Sequence, residues 1–229
     1  SEKKLVGFEA FLRFEHPEYG HVRTVEFIES AERCGFIYTL GKFSFEKAFN
    51  TLKLINAIDP TLTMTINLSS VQLKSDVLLD DLKEMLDRCE CVMQNLEFDI
   101  SEESLISSFT PAKRVLSGIA EMGIKTSLDN FGRGYSSLNN IPLLPISCVK
   151  LDGNFTNNLK NDTAIRVLTA SIISLLHEID ISVAATGVGG EEQFIILQKY
   201  HCDSFQGIYF NTPMSESDTV EFVKHQTFS

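Results

Sequence analysis

The chain has 229 residues, 43% of them hydrophobic, and its 20 basic residues stand against 31 acidic ones for a net charge of −11. That length and apolar content suit one large globular domain, and the acidic balance excludes a general attraction to a nucleic acid backbone, so no nucleic acid polymer is expected as a partner. No apolar run reaches the length of a membrane span and no signal peptide opens the chain, which points to a cytoplasmic protein or the cytoplasmic part of a membrane-associated one.

The first strand is expected over Leu5–Phe14, ending at the turn HPEYGH, with His16 and His21 solvated on either side. An amphipathic helix follows in VEFIESAERCGF, with Phe27, Ile28 and Ala31 on one face and Gly35 as its stop. A second helix runs from about Thr39 to Ile58, with Phe43, Ala48, Leu52 and Ile55 as core, and Asp59-Pro60 ends it. Strand and helix then alternate. Strands are expected at Leu62–Ser69, Leu96–Ser101, Ile124–Leu128, Cys148–Leu151, Ile181–Ala185 and Asp203–Gln206. Helices are expected over Val71–Arg88, Pro111–Met122, Ala164–Ile179, Glu191–Tyr200 and Ser215–His225. Such βα alternation marks a parallel sheet. The five cysteines include Cys89 and Cys91 at a poor zinc spacing, and all five are read as reduced, mostly packing thiols.

Seven strand-like runs each carry one polar residue at or just after the C-terminal end: Glu9, Asn67, Asp99, Asp129, Lys150, Thr186 and Gln206. In a parallel barrel those ends open at one mouth, where active sites are built. Asp and Asn also follow strands simply to cap the next helix, which accounts for Asn67, Asp99 and Asp129 taken singly. Capping does not account for Glu9, Lys150 or Gln206. A lysine between Val149 and Leu151 needs a carboxylate partner if it is buried.

Six ordered motifs carry a resemblance: FEAFLRF (8–14), INLSSVQL (66–73), LEFDISEESL (96–105), LDNFGRGYSSL (128–138), LPISCVKLD (144–152) and QGIYFNTP (206–213). Together they are similar to the EAL-domain family of cyclic di-GMP phosphodiesterases. The resemblance implies a (β/α)8 TIM-like barrel with one strand reversed, two divalent metals (Mg or Mn) at the mouth, and hydrolysis of a cyclic dinucleotide. Seven strands are one fewer than such a barrel needs, so the chain is read as a single domain, 1–229, cut from a longer signalling protein and lacking its first strand. By the same resemblance Glu9, Asn67, Asp99 and Asp129 would hold one metal and Lys150 would sit near the attacking water. Glu102 would anchor the DNFGRGYSS loop. Arg13 would meet a ligand phosphate, with Phe11, Asp152 and Pro213 lining the ligand site beside Glu9, Asn67 and Gln206. Cyclic di-GMP, accessory sensor or GGDEF-type domains and a second copy of the chain are the implied partners, and the NFGRGYSSL loop is one the family uses near dimer contacts.

The chain departs from the family pattern at informative places. Asp99 stands for a glutamate, Asn130 for the second of two aspartates, and Phe11 for leucine. Thr24 replaces a proline after the HPEYG turn. Ala185-Thr186-Gly187-Val188-Gly189 replaces a motif with glutamates at the second and fifth positions. The second metal would lose its ligands at Asn130 and Thr186, and Gly189 would lose a guanine contact. The leading expectation is an inactive domain that acts as a cyclic di-GMP receptor, binding metal weakly or not at all. The alternatives are a protein-interaction module that no longer binds the nucleotide, and a weak metal-dependent phosphodiesterase.

Overall fold

The computed structural model describes residues 4–89, 92–133 and 138–226. The first apolar run makes only a short strand, β1 (Gly7–Ala10), and the chain then leaves the sheet. Phe14–His16 (β2) and Gly20–Val22 (β3) pair antiparallel in a separate hairpin, so the continuous strand expected to Phe14 is broken at residues 11–13. Gly20 turns the hairpin at φ +67°. His16 closes it, its Nδ1 accepting the backbone N–H groups of Glu18 and Tyr19 at 3.1 and 3.3 Å. The expectation of a merely solvated His16 is thereby corrected, because the ring nitrogen satisfies turn donors that have no ladder partner. His21 is exposed.

Helices α1 (Thr24–Arg33) and α2 (Ile37–Asn56) meet at Gly35, whose φ of +74° is the expected left-handed stop. The buried face of α2 is Phe45, Ala48, Phe49, Leu52 and Ile55. Phe43, expected in the core, is 52% exposed, since it lies two residues before Phe45 and so on another side of a 3.6-residue helix.

The rest of the chain alternates as expected: β4 (Thr63–Leu68), α3 (Leu78–Cys89), β5 (Leu96–Ser101), α4 (Glu102–Ser107), α5 (Phe109–Glu121), β6 (Lys125–Phe131), β7 (Cys148–Leu151), α6 (Gly153–Asn158), α7 (Thr163–His177), β8 (Ser182–Ala185), α8 (Glu191–Lys199), β9 (Ser204–Phe205) and α9 (Glu216–Gln226). The single helix expected over Val71–Arg88 is split into a 3-10 turn, Gln72–Lys74, and α3. Ser69 and Gln72 close that first turn on themselves: Gln72 N–H donates to Ser69 Oγ at 3.2 Å and Ser69 N–H donates to Gln72 Oε1 at 3.0 Å. Ser75 then opens a new start, accepting Val77 N–H at 3.3 Å. The short helices α4 and α6 had no counterpart in the sequence expectations. Each begins on a capping side chain, Ser101 and Asp152 respectively.

The seven-stranded sheet runs β1-β4-β5-β6-β7-β8-β9, and every neighbouring pair is parallel. It curls into most of a TIM-like barrel, one strand short of closure. The reversed strand implied by the resemblance is not among the described strands. Met64, Ile66, Leu68, Leu96, Phe98 and Ile100 are buried toward the helices. The alternate positions of the same strands, among them Thr65, Asn67 and Asp99, face the lumen. Phe98 meets Phe45 edge-on at 5.5 Å and ties α2 to β5. A smaller cluster of Ala31, Ile37 and Leu40 packs with Leu12, Phe27, Ile28 and Val71 around α1.

Among the described residues no helix is long and apolar enough to cross a membrane. Cys34, Cys89, Cys148 and Cys202 are free thiols, and Cys91 lies outside the described residues. Burial pushes Cys148 and Cys202 each up to about 12, as packing thiols require. Cys34 is exposed and does not pack as expected.

Candidate functional site

The sheet's curl brings its two ends together at the mouth. Glu9, at the end of β1, is the hub. Its Oε1 accepts Asn67 Nδ2 from β4 at 2.8 Å, and its Oε2 accepts Gln206 Nε2 from just past β9 at 3.0 Å. The Glu9–Gln206 bond spans the gap between the two edge strands. Lys150 Nζ, on β7, lies 3.3 Å from Glu9 Oε2 and pairs closely with Asp99 Oδ2 on β5. Asp99 Oδ1 accepts the hydroxyl of Ser127 on β6. Register makes this possible, because Asn67, Asp99 and Ser127 are direct neighbours across three strands. Five of the seven strand-end residues thus form one bonded network, and Lys150 has the carboxylate partners that its burial demanded.

Burial pushes the Asp99 carboxyl up to about 7, against the pull of the Lys150 ammonium and with help from the Glu9 carboxylate. Asp129 is raised too, chiefly by burial, against a backbone N–H from Asn130 and with the Glu9 carboxylate adding to the rise. Burial works against the charge on Lys150, but Asp99 and Glu9 outweigh it and hold the lysine above its ordinary value. One ammonium thus serves two carboxylates, Asp99 and Glu9, and their attraction keeps the lysine charged. A lysine held charged in this way is a poor general base.

The flanks are committed to structure. β6 runs to Phe131 rather than stopping at Leu128, and its register to β7 shifts between those two residues. At this bulge Asn130 takes φ +57° and donates Nδ2 to Asp129 Oδ2 at 2.6 Å. Glu102 is buried and its Oε2 accepts the backbone N–H groups of Gly132 and Arg133 at 3.0 and 3.1 Å. It therefore sits at the base of the loop that leaves β6. Residues 134–137 of that loop lie outside the described residues. Asp152 caps α6, accepting Asn154 N–H at 2.8 Å, with Arg133 Nε at 3.6 Å from its other oxygen.

Thr186 does not point its oxygen into the mouth. Its hydroxyl donates to the Leu151 carbonyl at 2.8 Å, inside the barrel wall, and its own carbonyl accepts Thr156 Oγ1 at 2.7 Å. The loop after it is locked by Gln193, which accepts Gly189 N–H at 2.7 Å and donates to the Thr156 carbonyl at 3.0 Å. Sequence reasoning missed Ser127, Thr156 and Gln193. Strand alternation marks Ser127 as sharing a face with Asp129, whereas nothing local signals the other two.

Arg13, three residues past β1, is exposed, lies over the Phe11 ring at 5.4 Å and donates to Thr24 Oγ1 at 3.3 Å. The Phe11 ring is 49% exposed. Pro213 is exposed in the coil between β9 and α9. No bond joins Arg13, Phe11 or Pro213 to the Glu9 network among the described contacts.

The donors at the mouth are hard oxygens of the kind that suits Mg or Mn. As arranged, however, Asp99 is taken up by Lys150 and Ser127, Asn130 turns an amide nitrogen on Asp129, and Thr186 bonds to backbone. Among the described residues no three carboxylate, histidine or cysteine groups are placed to hold a metal ion. This donor set does not fit a two-metal centre, and its internal cation is Lys150.

A protein-family model described as the EAL domain matches residues 1–213. The signaling protein YkoW of Bacillus subtilis is 30% identical over 226 residues, which is 98% of this chain and 28% of that protein. The bifunctional diguanylate cyclase/cyclic di-GMP phosphodiesterase MucR of Pseudomonas aeruginosa is 29% identical over 211 residues, 92% of this chain and 31% of that protein. The chain spans about three tenths of the length of these two relatives. Among solved structures, a MucR phosphodiesterase in complex with c-di-GMP superposes with a TM-score of 0.89 at 28% identity, covering 94% of this chain and 88% of that one.

Proposed function

This chain belongs to the EAL domain family, and from that premise we propose that it is a cyclic di-GMP receptor that leaves its ligand uncleaved. The observation that carries this reading is Thr186: its only side-chain oxygen is bonded to the Leu151 carbonyl, so the end of β8 brings no anionic oxygen to the mouth. Asn130, a neutral amide bonded to Asp129, acts in the same direction. Two-metal hydrolysis needs carboxylates to clamp both ions and a water made acidic between them. On this reading Mg or Mn, weakly bound or absent, is not needed for the nucleotide. The domain would be one module, 1–229, of a longer signalling protein, receiving input from sensor or GGDEF-type domains and pairing with a second copy of itself.

The test is to incubate the protein with cyclic di-GMP and Mg²⁺ or Mn²⁺, to measure binding by calorimetry and to follow the nucleotide by chromatography. Binding with intact ligand recovered is the expected result. A linear dinucleotide appearing at rates typical of enzymes would return the domain to the phosphodiesterases. No binding at high micromolar ligand would leave a protein-interaction module.

Within this reading Arg13 supplies the cation for a ligand phosphate, where a guanidinium fork fits well. In a chain of net charge −11 such local charge is needed to hold a dianion. Arg13→Ala is expected to weaken cyclic di-GMP binding by about 1.5–3 kcal/mol, roughly 10- to 150-fold, with thermal stability unchanged because the side chain is exposed. Unchanged affinity would place the phosphate elsewhere.

A further inference from the structure

A second cleft lies where the first turns of α2 and α3 meet, and it shares no residue with the Glu9 network. It has a volume of about 350 Å³ and is lined by Tyr38, Thr39 and Lys42 of α2, by Ser75 and Val77 just before α3, and by Asp81 of α3. That volume is in the range of small-molecule sites. Tyr38 and Val77 supply the apolar lining and are 40% and 58% exposed. The Tyr38 ring is held in place by its hydroxyl, which donates to the Val71 carbonyl at 3.3 Å. The charged part of the lining is an ion pair, with Lys42 Nζ 2.8 Å from Asp81 Oδ1. That contact leaves further N–H groups on the ammonium and one oxygen on the carboxylate. Among the described residues no bond engages Asp81 Oδ2 or the Thr39 hydroxyl, and Ser75 Oγ accepts Val77 N–H at 3.3 Å with its own proton uncommitted. The Lys42 side chain is 54% exposed, and a pair so open to water does little to hold two helices together.

We propose that this cleft binds a free α-amino acid with a bulky apolar side chain. The ligand carboxylate meets the Lys42 ammonium and the hydroxyls of Thr39 and Ser75. The ligand ammonium meets Asp81 Oδ2, and the side chain lies between Tyr38 and Val77. An α-amino acid carries its two charges on one carbon. It therefore matches a cation and an anion held 2.8 Å apart and leaves no charge without a partner. A plain carboxylate would set its charge beside Asp81 with nothing to offset the repulsion, and a plain amine would do the same beside Lys42. The inference does not depend on nucleotide binding.

Calorimetry of the chain with L-phenylalanine and L-leucine, up to about 10 mM ligand, reads the outcome. The probes that lack one charge each are 3-phenylpropanoate and phenylalanine amide. Both amino acids are expected to bind, and both single-charge probes to bind at least about 10-fold more weakly than phenylalanine. Lys42→Met and Asp81→Asn are each expected to weaken phenylalanine binding by a similar factor. Val77→Trp, which fills the cleft and keeps both charges, is expected to abolish it. Circular dichroism accompanies the variants, and Lys42 and Val77 are exposed, so folding is not at stake there. Failure of both amino acids to bind the unaltered chain, a single-charge probe that binds as well as phenylalanine, or variants that bind as the unaltered chain does would each overturn the proposal.

Discussion

Lys150→Met is expected to destabilise the fold by about 3–5 kcal/mol at about pH 8, the range for removing one partner of a buried pair. Among the described residues the lysine is the one cation bonded to both Asp99 and Glu9, and its loss leaves two carboxylates in the barrel lumen without a counter-charge. The effect should depend on pH, with a definite sign. The folded pKa of Asp99, about 7, lies above the unfolded value of about 3.9. Between those values the folded state holds more protons, so the Asp99 contribution is fully present below about pH 4 and is lost as pH rises through about 7. Without Lys150 the carboxyl loses its lowering partner and rises further, so the deficit of the variant should be flat from about pH 5 to about pH 6 and widen as pH rises through about 7. Lys150 is itself raised, so its own contribution holds through neutral pH and fades only above its ordinary 10.5. Urea unfolding of both proteins across that range tests this. A deficit that stays constant with pH would mean that Asp99 does not take up the proton.

Gly207→Ala should cost about 3 kcal/mol or more, although it adds a single methyl group. Gly207 has a φ of +158°, and a Cβ there would lie 2.1 Å from the Val188 carbonyl oxygen and 2.4 Å from its nitrogen. Those are backbone atoms and cannot swing aside. Val188 N–H donates to the Gln206 carbonyl at 3.0 Å and Tyr209 N–H donates to the Val188 carbonyl at 3.1 Å, so relief of the clash must break this stitch between the β8 and β9 exits. Gln206 would be carried off Glu9 with it. Gly189→Ala is the internal comparison. Its nearest contact would be Gln193 Oε1 at 3.5 Å and its φ is not in the left-handed region, so a change within about 0.5 kcal/mol is expected. Similar unfolding midpoints for the two variants would show that the loop yields more easily than its backbone contacts imply.

Much of this protein was legible in its sequence because the signals are local. A two-residue period in TMTINL and LEFDIS, helical periods between the strands, and Gly35 after α1 follow from backbone geometry over a few residues. The polar residue at each strand end was legible for the same reason, since a parallel sheet wound one way must gather those ends. Where local signals competed, tertiary structure decided. The Val71–Arg88 stretch has enough apolar residues for one helix, but the Ser69–Gln72 box closes a turn early and the chain restarts at Ser75. Phe43 and Phe45 are equally apolar, and only the packing of α2 on the sheet selects Phe45.

At the mouth the sequence determined which side chains are present and that Asn130, Thr186 and Gly189 are not carboxylates. Only the folded chain decided what those side chains do. Thr186 turns to the Leu151 carbonyl, Ser127 joins Asp99, Lys150 becomes the cation of the site, and Glu9 reaches Gln206 across 197 residues of chain. The physical reason is that a hydroxyl, an ammonium or a carboxylate bonds to whatever donor or acceptor burial leaves within about 3 Å. That choice depends on strand register and sheet curl, which no stretch of neighbouring residues encodes.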